Sequence, residues 1–128
     1  MQLTSPTPET DSIPTLAPGD RWIDLVHLAR MTLGDRSLER EVLHLFRRQI
    51  DLLLATVRGQ ACSNLCAAVH TFKGSARGVG AWRLARAAEA VELAAQAEED
   101  CGLDRAVEAL GSAALQTRAV LLELLRPN

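Results

Sequence analysis

The last quarter of the chain carries its strictest pattern. Leu103, Val107, Leu110, Ala114, Thr117, Leu121 and Leu124 recur at alternating steps of four and three. A strand repeats every second residue, whereas this spacing lines one side of an α-helix. A helix with one such stripe is stable against other apolar stripes and not alone. The rest of the chain therefore has to supply packing partners.

It does so four times. From Trp82 onward, Leu84, Ala88, Val91 and Ala95 form a second stripe. Over 61–79, the residues Ala61, Leu65, Ala68, Val69, Phe72, Ala76 and Val79 form a third. Before it, a helix capped by Asp35 or Ser37 runs to about Val57 or Arg58. There Leu38, Val42, Leu45, Leu52 and Leu53 fit one stripe, widened by Phe46 and Ile50. A short first helix starts after Asp20 as N-cap and ends near Met31–Leu33, with Gly34 as its stop. Gly59-Gln60, Gly78 or Gly80, and Asp100–Gly102 mark the turns, and Pro127 ends the last helix.

The composition agrees. The chain is 48% hydrophobic but only 3% aromatic, with no Tyr, which suits close helix packing better than a sheet. The expected fold is all-α: an antiparallel up-down-up-down four-helix bundle over 20–128, with a short N-terminal covering helix. Residues 1–19 hold Pro6, Pro8, Pro14 and Pro18 among Ser and Thr, and read as a disordered tail.

Several classes drop out. A net charge of −2 marks no nucleic-acid partner. No apolar run is long enough to span a bilayer and no secretory signal is present, so a cytoplasmic location is expected. Cys62, Cys66 and Cys101 form no C-x-x-C pair and read as reduced thiols. Cys62, Cys66 and His70 do share a four-residue spacing that suits a soft metal. A structural zinc normally takes four protein ligands and no other helix offers a His/Cys pair, so no metal is assigned.

One residue breaks the pattern usefully. On the 61–79 helix, His70 falls opposite the apolar side. Ser63, Cys66, Lys73, Gly74 and Arg77 lie within roughly 60° of it. Glycine inside a helix costs about 1 kcal/mol relative to alanine. Gly74, one turn beyond an exposed imidazole, leaves room for another molecule to reach the ring. Lys73 places a cation where incoming negative charge would sit. Ser75, about 140° away, suits a packing or backbone role.

His70-Thr71-Phe72-Lys73-Gly74-Ser75, followed by Gly80-Ala81 and Leu84, resembles the signature of histidine-containing phosphotransfer (HPt) domains. The stretches 33–38 and 41–46 are similar to the opening of the preceding helix in that family, so the likeness spans about 22–125. Phe72 stands where Leu is commoner, and Ala76 departs little from the pattern. The resemblance implies the same four-helix bundle and a phosphorelay role in two-component signal transduction. His70 would be the phospho-acceptor, attacking through Nε2. Lys73 would stabilise phosphoryl charge, with Arg77 as a weaker helper, and Gly74, Arg77, Cys66 and Ser63 would meet the partner.

The family also places a Gln or Glu on the next helix to orient the ring. Glu92, about 80° off the centre of its stripe, matches by count; Glu89 and Gln96 lie on the same side. The implied partners are response-regulator receiver domains and a hybrid histidine kinase. No cofactor is expected on this chain, which should be a monomer; Mg2+ would come with the receiver. No nucleotide-binding box is present, so ATP-dependent autophosphorylation is not expected. The alternative reading is a non-catalytic helical adaptor that binds a receiver or kinase.

Overall fold

The computed structural model describes residues 21–59, 62–98 and 100–127, with the side chains of 58 and 62–64 excepted. The tail assignment, Asp20 and the side chains of Ser63 and Cys62 thus lie outside the described residues. Five helices follow in order: α1 Leu25–Met31, α2 Arg36–Gly59, α3 Cys62–Val79, α4 Trp82–Ala97 and α5 Asp100–Leu124. No strand occurs among the described residues. Helices α2 to α5 pack each on the next and α5 closes on α2, while α1 lies on α3. The architecture is the expected four-helix bundle with an extra N-terminal helix.

The helix ends show why the chain breaks where it does. Asp24 caps α1, its Oδ1 accepting from His27 N at 3.1 Å, so this helix starts later than a cap at Asp20 would give. Asp35, not Ser37, caps α2, accepting from Leu38 N at 3.0 Å. The stop after α1 differs from expectation. Leu33, not Gly34, takes the first left-handed position, at φ 54, and Gly34 follows at φ 77. Leu33 N donates to Arg30 O and Gly34 N to Ala29 O, the paired bonds of a Schellman turn. The α3 end is built the same way with Gly80 in the left-handed position at φ 83: Gly80 N donates to Arg77 O and Ala81 N to Ala76 O.

The core lies between the four long helices. Val69, Phe72 and Ala76 of α3 meet Leu84, Ala88 and Val91 of α4 and Leu110, Ala114 and Leu121 of α5, all buried. Alanines at three of these positions, Ala76, Ala88 and Ala114, let α3, α4 and α5 approach closely. On α2 the buried row is Leu43, Phe46, Ile50 and Leu53, with the Phe46 ring stacked on Phe72 at 5.5 Å. Leu38, Leu45 and Leu52, expected in the core stripe, are exposed. The two rows run about 120° apart on the same helix, and packing against α3 and α5 selects the one containing Phe46. No helix among the described residues is long and apolar enough to cross a membrane.

Candidate functional site

Helix α3 buries Leu65, Val69, Phe72, Ala76 and Val79, which turns residues one step further on toward water. His70 is one of them, with its side chain 72% exposed. Helix α4 runs alongside, and Val91 in its buried stripe carries Glu92 to the rim facing α3. Glu92 Oε2 lies 2.7 Å from His70 Nδ1, and Glu92 Oε1 lies 2.6 Å from Lys73 Nζ. One carboxylate thus holds two residues a turn apart on the neighbouring helix.

The electrostatics follow from that geometry. The hydrogen bond from Lys73, then the one from His70, hold the Glu92 carboxyl below its ordinary pKa. An ionised carboxylate only accepts, so the proton of the neutral ring sits on Nδ1. Nε2 keeps its lone pair and faces solvent. The site therefore presents one nucleophilic nitrogen in a fixed tautomer.

Lys73 is not the free cation that its sequence position suggests. Its side chain is only 15% exposed and its ammonium is bound to Glu92. Its stem lies along the α3–α4 seam, and its charge offsets that of the carboxylate behind the ring. Arg77 is half exposed and reaches Glu89 at 3.9 Å, a loose surface pair. Glu89 thus faces Arg77, and Glu92, among the three α4 candidates, is the residue at the ring. Cys66 is a half-buried free thiol, and Ser75 is half-buried too. At Gly74 a Cβ would meet nothing within 4 Å, so the space beside the imidazole is open. Among the described residues no group of three or more His, Cys, Asp or Glu could hold a metal.

A second cluster escaped the sequence reading. Gly80 O accepts from Asp24 N at 2.9 Å, and Trp82 Nε1 donates to Asp24 Oδ2 at 2.9 Å. His27 Nε2 donates to Gly78 O at 3.1 Å, and the His27 ring meets Trp82 edge-on at 4.9 Å. The bond from Trp82 is the main cause of a lowered Asp24 pKa. These contacts fasten α1 to the α3–α4 turn, at the end of the helix that carries His70. The available signal was Asp24 three residues before His27, a capping spacing.

A protein-family model described as "Hpt domain" matches residues 36–125. No match is found among curated proteins or among solved structures. The matched stretch contains all four long helices, His70, Lys73 and Glu92.

Proposed function

The chain belongs to the Hpt domain family, and from that membership we propose that it carries a phosphoryl group on His70 Nε2 within a phosphorelay. The group passes reversibly between this nitrogen and the aspartates of response-regulator receiver domains, one of them on a hybrid histidine kinase. The observation that carries the reading is the Glu92 hydrogen bond to Nδ1, which leaves Nε2 unprotonated and in solvent. The Nε2 lone pair attacks the phosphorus of an aspartyl phosphate in line. The N–P bond forms as the P–O bond breaks, and the aspartate leaves as carboxylate. The Nδ1 proton stays in the bond to Glu92, which stabilises the positive charge that the ring acquires.

Phosphoryl transfer asks for position and charge more than for covalent help. Lys73 contributes by neutralising Glu92, so that the anionic phosphoryl group does not approach an uncompensated carboxylate. The Mg2+ that such transfer uses belongs to the receiver. Gly74 leaves the approach clear. Docking area stands alongside: Leu52 of α2, 68% exposed, rims a groove against Ala67 and Thr71 of α3, and Leu25 and Val26 of α1 are exposed as well. Apolar surface beside a reactive group is what a transient protein partner covers.

The chain is incubated with phosphorylated receiver domains and the label on it is followed. Label stable in alkali, labile in acid and absent from His70→Gln supports the reading. Transfer that survives His70→Gln overturns it, and binding without any transfer favours the adaptor reading.

A further inference from the structure

The α2–α5 seam is partly open, and it lies across the bundle from His70. His70, Lys73 and Glu92 sit on the α3–α4 seam. The α2–α5 seam opposite is closed in its middle by Asp51, which accepts from Arg118 Nε at 2.8 Å and from Arg47 at 3.1 Å. Nearer the N-terminal end of α2, Arg40 donates to Leu125 O at 3.1 Å. Beyond Asp51 the helices part. A groove of about 900 Å³ opens there, floored by Leu54, Val57, Leu65, Leu103 and Val107.

Its shape and charge both point to one kind of occupant. The α5 wall runs from Leu103 to Leu115, about 18 Å or three helical turns at 1.5 Å per residue. At Gly111 a Cβ would meet nothing within 4 Å, and Ser112 follows, so another backbone can come close. Leu115 at one end is half exposed. The only charged side chains lining the groove among the described residues are Asp104 and Glu108, one turn apart on α5. Glu98 and Asp100 stand exposed at the same end of the bundle.

We infer that the α2–α5 groove is a second docking surface, which binds a three-turn amphipathic helix of a partner protein with basic residues beside its apolar stripe. The apolar stripe of that helix lies on Leu54, Val57 and Val107, and its cations meet Asp104 and Glu108. Because the groove and His70 are on opposite seams, the helix and a receiver bind together.

The test uses the full chain, labelled for NMR, and two helical peptides of about 14 residues. Both carry the same leucine stripe; one has lysines beside it and the other glutamates. The lysine peptide should shift the amides of 103–115 and 54–57 saturably, and less so at high salt. The glutamate peptide should not bind. Gly111→Trp fills open space in the groove and should weaken the lysine peptide about tenfold or more, with phosphotransfer from receivers unchanged. Asp104→Lys with Glu108→Lys, both exposed, should reverse the preference between peptides whatever Gly111→Trp does to folding. Shifts scattered over the surface, or binding indifferent to both variants, overturn the inference. So does concentration-dependent self-association lost in Gly111→Trp, which makes the occupant a second copy. Deletion of 1–20 that moves the same amides without peptide overturns it too, by making the occupant the chain's own N-terminal segment.

Discussion

Lys73 is bound to Glu92, with Nζ and Oε1 2.6 Å apart, before any partner arrives. The lysine that the motif places beside the reactive histidine acts first on the carboxylate behind it. Its effect on an incoming phosphoryl group is therefore partly indirect, through the charge left on Glu92.

That arrangement separates three substitutions. Glu92→Ala removes the acceptor at Nδ1 and should slow phosphotransfer about 10–100-fold, the usual cost of losing a group that orients a histidine. Glu92→Gln keeps a carbonyl oxygen for Nδ1–H and should retain most of the rate. Lys73→Ala should slow transfer while changing stability by about 1 kcal/mol or less, as for other part-exposed pairs. Rapid-quench transfer rates and urea midpoints check all three.

Gly74→Gln should separate folding from docking. Its Cβ meets nothing, and replacing a mid-helix glycine should stabilise α3 by up to about 1 kcal/mol. The longer side chain then stands where a receiver must approach, so transfer should fall steeply. A variant that melts higher and transfers as fast as the parent would place the docking surface elsewhere.

The acid limb of stability should trace to two carboxylates. Glu92 and Asp24 both titrate below their ordinary range in the folded chain, Glu92 through Lys73 and His70 and Asp24 chiefly through Trp82. A carboxylate with a depressed folded pKa stabilises the fold above its unfolded pKa, near 4. That contribution fades as the pH falls from there through the folded value. Urea midpoints should thus drop on acidification below about pH 5, and less in Glu92→Gln and Asp24→Asn.

The two Schellman turns should respond oppositely to opposite exchanges at their left-handed positions. Leu33 holds a left-handed backbone with its side chain 92% exposed, so Leu33→Gly should stabilise by roughly 1 kcal/mol. Gly80→Ala adds a Cβ 3.0 Å from Asp24 O in a left-handed position. It should destabilise by about 1–2 kcal/mol and loosen α1, visible as a change in Trp82 fluorescence. Thermal melts of both variants check the pair.

Much of this was legible in the chain. The α4 and α5 stripes became core where Leu84, Ala88, Val91, Leu110, Ala114 and Leu121 fall, because each of those helices has one apolar side. Helix α2 has two, and nothing local distinguishes the row of Leu38, Leu45 and Leu52 from the row of Leu43, Phe46, Ile50 and Leu53. Neighbouring helices make that choice. His70 and Glu92 were readable as rim residues on adjacent helices. The Lys73 pairing was not, because a lysine stem reaches a neighbouring helix as easily as it reaches water. The Asp24–Trp82–His27 cluster joins residues up to 58 apart, beyond any periodicity.

The alanines of the core sort the bundle mechanically. Where Ala76, Ala85, Ala88 and Ala114 bring α3, α4 and α5 together, little can move without breaking many contacts at once. The edge of α2 beyond Asp51 has no such restraint. Amide exchange should accordingly be slowest beneath the imidazole and fastest along the far wall. The chemistry would then stand on the stiff half of the molecule, leaving the compliant half to adapt.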